Sequence, residues 1–165
     1  MKLDQTTYDN SETDCCARLD SEAWDGRVFE WQDKPFLTDH IKKAFHVPLN
    51  FGMVMTRDHE AIEEAEAYPE EPLWLTDEVS PWRGDVYVAV DRDIPGQDIT
   101  KMSGRFIAKV FEGPYRNMKD WIAQMNDHVA QQGYEAEKLL FYYPYCPDCA
   151  KAFGENEVVI LAKVG

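Results

Sequence analysis

The sequence has no apolar run long enough to cross a membrane, and it is poor in basic residues. No stretch approaches the roughly 20 consecutive apolar residues that a membrane-spanning helix requires. Its 17 lysines and arginines stand against 31 aspartates and glutamates, which gives a formal net charge of −14. Because a negative field of this size repels phosphate groups, we expect neither nucleic acid nor a membrane as a partner.

Several targeting and catalytic signatures are also missing. Residues 1–14 are polar and acidic and lack the features of a secretory signal, so a cytoplasmic location is expected. No Ser-His-Asp order, phosphate-binding loop or dinucleotide fingerprint occurs, and the four histidines share no ligand spacing. Nucleotide-driven chemistry and a resident cofactor are therefore not expected, apart from zinc as an alternative at the cysteines.

The composition is that of one folded domain. The chain has 165 residues, of which 44% are hydrophobic and 13% aromatic, enough to bury a core. Residues 1–22 are rich in Asp, Ser, Thr and Glu and show no sustained period, so we interpret them as a partly ordered acidic tail. The domain is expected over residues 23–165, as a monomer or a weak homodimer.

The second half shows the order strand, helix, strand, strand. Residues 103–112 alternate as a strand, with side chains at 106, 108 and 110 on one face and those at 107, 109 and 111 on the other. Gly113 and Pro114 then end this strand and begin a helix. Apolar residues at helical spacing continue to about residue 132, and Gly133 terminates the helix. Residues 139–143 and 158–164 are the two remaining predicted strands.

The first half can be interpreted in the same order, with a helix over residues 51–67 and strands near residues 45, 73–75 and 84–91. Before them, a short strand at 28–31 and a turn at 32–35 are predicted. We therefore predict an α+β fold with two pseudo-repeated strand–helix–strand–strand units, about 27–95 and 100–165, in one antiparallel-sheet domain. Its helices pack on one side, and a ligand groove lies between the repeats.

Two resemblances support this prediction. Residues 104–115, which read GRFIAKVFEGPY, resemble the strand and Gly-Pro-Tyr corner of the GyrI-like (gyrase-inhibitor-like) family of small-molecule-binding domains. The chain also resembles a group of bacterial proteins often labelled hydrolases. The short sequence motifs that carry this resemblance include Asp14-Cys15-Cys16, Pro48-Leu49-Asn50-Phe51-Gly52 and Cys146-Pro147-Asp148-Cys149. The resemblance implies two repeats around an aromatic, acidic groove that serves as a multidrug-binding effector pocket, a free-standing binder or a xenobiotic hydrolase.

Aromatic side chains on or beside the predicted strands are the candidate ligand-binding residues. Aromatic faces bind flat or cationic ligands by stacking and by quadrupole attraction. The alternative for each single residue is ordinary core packing, which we assign outright to Trp121 on the helical stripe. The candidates are Trp31, Trp74, Trp82, Tyr87, Tyr142 and Tyr143.

Acidic residues near strand ends are the candidate catalytic groups. Glu78, Asp91 and Glu112 could pair with a cationic ligand or act as a general base on water. The alternative for each is a solvated surface acid. Tyr115, at the start of the second predicted helix, could donate a hydrogen bond to a ligand or pack at the corner.

The four cysteines form two close pairs. Cys146 and Cys149 have the two-residue spacing that allows two thiolates to bind one Zn²⁺, and Cys15 and Cys16 could supply the other ligands. Redox chemistry and a purely structural role, in which the loop cysteines help to hold the N-terminal tail, remain alternatives. We place the structural role first, metal second and redox third.

Three functions follow from these features. The first is binding of a small, largely apolar or aromatic molecule, cationic or neutral, as a xenobiotic binder or sensor. The second is hydrolysis of a reactive, electrophilic xenobiotic by an acid or a tyrosine within an aromatic cage. The third is a zinc- or redox-linked role for the cysteine pairs. A transcription factor fits poorly, because the chain has no helix-turn-helix segment or basic surface.

Overall fold

The computed structural model describes residues 19–44, 47–69, 73–78, 80–145, 147–154 and 156–164. The chain divides into two compact units, and the boundary falls inside two long strands. The central unit comprises residues 32–103, and the terminal unit comprises residues 1–31 and 104–165.

The central unit follows the order strand, helix, strand, strand. Its elements are β1 (Val28–Ala44, from residue 32 onward), β2 (Val47–Pro48), α2 (Phe51–Glu64), β3 (Trp74–Asp77) and β4 (Arg83–Ala89). All pairings among these strands are antiparallel, in the order β2–β1–β4–β3. The last strand of the repeat therefore lies between the first and the third.

The core of the central unit lies between α2 and one face of its strands. Val54 and Ile62, eight residues apart on α2, face Ile41 and Leu37 of β1. The strand β4 alternates as predicted, because Val86 and Val88 pack in these clusters while Tyr87 lies on the opposite face.

The terminal unit repeats this order with two short helices added. Its elements are α1 (Ser21–Trp24), the start of β1, β5 (Ile99–Glu112, from residue 104 onward), a 3-10 turn (Tyr115–Asn117), α3 (Met118–Gln131), β6 (Ala136–Tyr142), α4 (Pro147–Phe153) and β7 (Glu157–Val164). β7 pairs antiparallel with β5 on one side and with β6 on the other. The final strand is again the middle one, as in the central unit.

The core of the terminal unit is built on the helical stripe that the sequence predicts. Trp121, Met125 and Val129, each four residues apart on α3, are buried against Ile107 and Phe111 of β5. The assignment of Trp121 to the core is therefore confirmed, as is the α+β fold with antiparallel strands.

Two local predictions are wrong. The turn predicted at residues 32–35 is absent, because β1 continues without interruption to Ala44. Asp33 adopts a left-handed conformation (φ 52°), and its backbone N–H donates a hydrogen bond to Ser103 Oγ at 2.8 Å. This conformation and this hydrogen bond allow the strand to continue through its polar residues. The stretch predicted as a loop between the last two strands contains the helix α4.

No helix in the described part of the chain is both long and apolar enough to cross a membrane.

Candidate functional site

A row of five aromatic rings covers the face of the terminal unit's strands opposite α3. The ring of Phe106 on β5 lies 4.4 Å from that of Trp31, and Trp31 lies 6.4 Å from Phe29. Trp24 continues the row, 5.2 Å from Phe29 and 5.5 Å from Tyr142 on β6. We call these five residues the aromatic row; it unites two of the six predicted ligand-binding residues, Trp31 and Tyr142.

The row is held in place by backbone pairing between β5 and the segment before β1. The N–H of Gly26 donates to the carbonyl of Ala108 (3.0 Å), and the N–H of Ala108 donates to the carbonyl of Arg27 (2.8 Å). The carboxylate of Asp25 accepts a hydrogen bond from the N–H of Val110 at 3.0 Å. These bonds hold Trp24 and Phe29, which flank them in the chain, over the strands.

Trp31 is the accessible ring of the aromatic row. Trp24, Phe29, Phe106 and Tyr142 are almost fully buried, whereas Trp31 is half-buried. A flat ligand that stacks on this row without rearranging it would therefore contact Trp31.

An ion pair lies next to Trp31 in the terminal unit. Glu30, next to Trp31 in the chain, accepts hydrogen bonds from Nε and Nη2 of Arg105 at 2.9 and 2.6 Å. Arg105 also lies over the ring of Tyr134, 5.4 Å from its centroid, and bonds to its hydroxyl. Both charges of the pair are therefore already partnered.

A second feature of the terminal unit is an open depression of about 460 Å³ where β5 ends. Its lining residues are Glu112, Gly113, Pro114, Ala150, Lys151, Gly154 and Asn156. We call this the corner depression. Its lining includes Glu112, one of the predicted catalytic acids. Tyr115 comes directly after the lining residue Pro114 in the sequence.

Tyr115 and Tyr143 lie together, with ring centroids 5.9 Å apart. Tyr115 is 44% exposed, and Tyr143 packs on Phe141 and the α3 side of the strands. Burial, with the nearby Tyr115 as a second cause, raises the pKa of the Tyr143 hydroxyl. Tyr143 therefore contacts the face opposite to that of its neighbour Tyr142.

The central unit holds the other predicted ligand-binding residues in three different environments. Trp74 packs against the core beneath α2, and Tyr87 is buried on the opposite face, 6.4 Å from Phe36. Trp82 precedes β4 and is 57% exposed. Their role in binding remains a prediction.

The predicted acids of the central unit both form ion pairs. Glu78 pairs with Lys43, a nearly fully buried lysine whose pKa is lowered by burial. Asp91 is exposed and pairs with Arg92, whose Nε lies 2.8 Å from the carboxylate; this hydrogen bond lowers the pKa of Asp91. Sequence reasoning did not single out Lys43, because a lysine on a strand is ordinarily exposed.

A buried acid pair in the central unit was also missed. Asp58 on α2 is 2% exposed and lies against Asp39 on β1, to which Arg57 donates hydrogen bonds of 2.7–3.1 Å. Burial, together with the hydrogen bond to Asp39 and its charge, raises the pKa of Asp58 to about 8. The only sequence signal is that Asp58 interrupts the stripe of Val54 and Ile62.

The cysteines can be placed only in part. Cys149 is buried on α4 among Tyr145, Phe153 and Leu19, whereas Cys15, Cys16 and Cys146 lie outside the described residues. Within the described residues, no group of three or more His, Cys, Asp or Glu side chains is arranged to hold a metal. The zinc and redox roles therefore remain predictions.

The Cys149 cluster also holds Leu19 in place. The hydroxyl of Tyr145 accepts a hydrogen bond from the N–H of Leu19 (2.7 Å) and donates one to Glu157 (3.0 Å). We expect Tyr145→Phe to lower the unfolding free energy by about 1–2 kcal/mol, because it removes the acceptor of a part-buried N–H and the donor to Glu157. Thermal denaturation measures this loss. Tyr115→Phe is the control with an exposed ring, and equal melting temperatures for all three proteins would contradict the prediction.

The repeated strand–helix–strand–strand order and the antiparallel pairing define an α+β class of fold. Comparison with known proteins identifies the family. The chain matches the family described as bacterial hydrolase over residues 6–164, and it belongs to that family. The narrower of the two resemblances is thereby confirmed. No curated protein matches the chain.

Solved structures share the fold at low sequence identity. An uncharacterized conserved protein from Listeria innocua is 11% identical with a TM-score of 0.62, over 84% of this chain and 91% of that one. A hydrolase from Listeria innocua is 10% identical, with the same TM-score and coverage. The C-terminal domain of EcmrR is 11% identical with a TM-score of 0.58, over 86% of this chain and 98% of that one. These likenesses show the fold alone.

Proposed function

We propose that the protein binds a small, largely apolar, aromatic molecule at Trp31, the accessible ring of the aromatic row, as a binder or sensor of such compounds. The observation that carries this proposal is the half-buried ring of Trp31, which packs on Phe106 in a row of otherwise buried rings. A ligand with a flat ring system adds one more aromatic contact to this row.

The row favours binding because its accessible ring is already held in place. Trp31 is packed from below by Phe106 and from the side by Phe29, so little side-chain entropy is lost when a ligand stacks on it. Such contacts contribute about 0.5–1.5 kcal/mol beyond the burial of apolar area. The net charge of −14 also raises the local concentration of cations, so an aromatic cation is favoured over an aromatic anion.

The test is a titration of the full chain with two cations that differ in their rings. Proflavine carries a flat aromatic system, whereas cyclohexylammonium carries the same charge and no aromatic ring. We expect saturable quenching of tryptophan fluorescence by proflavine, and no saturable change with cyclohexylammonium. Equal binding of both cations, or of neither, would contradict an aromatic binding site.

Hydrolysis is the second candidate, favoured by the family description, by the position of Glu112 in the corner depression and by Tyr115, which follows the lining residue Pro114 in the chain. There a carboxylate would accept a proton from water while a phenol donates a hydrogen bond to the substrate.

Mass spectrometry of an aryl epoxide, styrene oxide, incubated with the protein separates the two functions. A product heavier by one water, lost in Glu112→Gln and in Tyr115→Phe, would establish hydrolysis; unchanged compound leaves binding alone.

A further inference from the structure

Lys163 on β7 lies beside the aromatic row. In the β5–β7 pairing it stands directly opposite Phe106, the ring on which Trp31 packs. Residues that are opposite each other in an antiparallel pair share one face of the strands. Its neighbours in the chain, Ala162 and Val164, pack in the core beneath α3, so Lys163 alternates to the other face. The side chain of Lys163 is therefore on the same face as the aromatic row.

A position on β5 close to Lys163 carries no side chain. Gly104 is exposed, and its φ of +125° is a conformation that residues with a Cβ rarely adopt. A Cβ built on Gly104 would meet Cε of Lys163 at 3.4 Å, and no other heavy atom of the described residues beyond its chain neighbours lies within 4 Å. The surface above Gly104 is therefore open, and the stem of Lys163 borders it.

Lys163 is a half-buried cation without a counter-ion among the described residues, with none of which it forms a hydrogen bond or an ion pair. On its other side, Lys138 of β6 stands opposite it in the β6–β7 pairing. Like charges that lie directly opposite each other destabilise a pair of strands. A bound anionic group would offset this repulsion and give Lys163 the partner that the fold does not supply.

We propose that the aromatic ligand of the row carries a carboxylate at its edge, and that Lys163 binds this group while Trp31 contacts the rings. This inference rests on the function proposed for Trp31 and narrows its class of ligand. The two residues lie on the strands that flank β5, so their backbones are about 10 Å apart. A bicyclic aromatic acid placed over Gly104 spans this distance, and the ammonium group of Lys163 donates a charge-assisted hydrogen bond to the carboxylate.

Lys163 is a local exception to the charge of the chain. The net charge of −14 acts over the whole surface and raises the concentration of cations near it. At physiological salt this field is screened over about 8 Å, whereas a partly buried contact is screened much less. Among ligands with the same rings that reach Trp31, Lys163 therefore favours the one with a carboxylate, and it opposes a positive charge placed at that edge.

The test compares 2-naphthoate with 2-naphthamide, which has the same rings and a neutral group in place of the carboxylate. We expect 2-naphthoate to bind the full-length protein in isothermal titration calorimetry at physiological salt, and 2-naphthamide to bind at least about fivefold more weakly. In Lys163→Met this difference disappears, while proflavine binds about threefold more tightly because the opposing charge is gone. Lys163→Arg keeps the charge and retains the preference for the carboxylate.

Lys119→Met is the matched control, because it removes an exposed lysine from α3, on the other side of the strands. It is expected to bind all three compounds like the wild type. Thermal denaturation reports whether Lys163→Met folds, and we expect an unchanged melting temperature, since Lys163 is half-buried and its removal breaks no ion pair with the described residues.

The outcomes separate this inference from the function on which it rests. Equal binding of 2-naphthoate and 2-naphthamide, or a preference for the carboxylate that survives in Lys163→Met, would overturn the role of Lys163 and leave the binding of proflavine at Trp31 intact. Failure of proflavine and of both naphthalene compounds to bind would overturn the proposed function and this inference together.

Discussion

Asp58→Asn is expected to raise the melting temperature at pH 8 by about 4–8 °C and to have little effect at pH 5. Asp58 is 2% exposed between α2 and β1, and its Oδ2 has no hydrogen-bond partner among the described residues. Its folded-state pKa, raised from 3.8 to about 8, means that the folded protein holds a proton that the unfolded chain releases. The stability from this proton is complete below pH 4 and is lost as the pH rises towards 8.

Asparagine removes this loss, because it is neutral at every pH and still donates a hydrogen bond to Asp39. Burial opposes the ionisation of Asp39, but hydrogen bonds from Asp58 and Arg57 lower its pKa, so Asp39 is the charged partner of the pair. Because the retained proton is shared by the Asp39–Asp58 pair, only part of the pKa shift appears as stability, and we estimate the gain at about 2 kcal/mol. For a chain of this size that corresponds to the stated shift in melting temperature.

The measurement is thermal denaturation of wild type and Asp58→Asn at pH 5 and pH 8. Asp127→Asn is the matched control, since Asp127 is exposed on the helix α3. A gain of the same size at both pH values would show that the substitution acts through helix propensity rather than through the buried proton. No gain at pH 8 would show that Asp58 is not protonated in the folded protein.

The second large effect is expected at the aromatic row. Trp31→Ala should weaken the binding of proflavine at least about tenfold, because it removes the accessible stacking surface, including the attraction of the ring for a cation. The fold should be retained, since the ring is half-buried and Trp24 keeps its contacts with Phe29 and Tyr142.

Trp82→Ala is the control for this prediction. Trp82 is a more exposed tryptophan in the central unit, and its removal should leave the affinity for proflavine unchanged. If Trp82→Ala weakens binding and Trp31→Ala does not, the ligand contacts the central unit and the aromatic row is only packing. Isothermal titration calorimetry on the three proteins decides between these outcomes.

The sequence predicts the regular elements well where a single face is buried. Val86 and Val88 alternate with Tyr87 because β4 has α2 on one side, and Trp121, Met125 and Val129 fall on one stripe because α3 has one buried face. Prediction failed in β1. Asp33 and Pro35 are turn-forming residues, but tertiary pairing carries the strand through them.

The candidate site was harder to predict, because its members meet through long-range contacts. Trp31 and Tyr142 were selected as aromatic residues near strands, but the residues that join them, Trp24 and Phe29, were not. Their position depends on the hydrogen bonds that Ala108 forms with Gly26 and Arg27, more than 80 residues away in the chain. No local pattern encodes such a contact.

Tyr142 and Tyr143 illustrate a limit of a different kind. They are neighbours in sequence and both were assigned to one aromatic cage. The alternation of side chains along a strand directs neighbouring residues to opposite faces, and the contacts follow this rule: Tyr142 meets Trp24, whereas Tyr143 meets Phe141 and Tyr115. A strand prediction thus also indicates which candidate binding residues lie on the same face of the strand and can contact one ligand.

The most direct test of the account is fluorine NMR of the protein labelled with 5-fluorotryptophan, recorded during a titration with proflavine. The five tryptophans give separate probes, and single Trp→Phe variants assign their signals. The account predicts a large shift of the Trp31 signal, a smaller one at Trp24, which lies beyond Phe29 in the same row, and none at the core residue Trp121. A shift confined to Trp74 or Trp82, with Trp31 unchanged at saturation, would contradict the account.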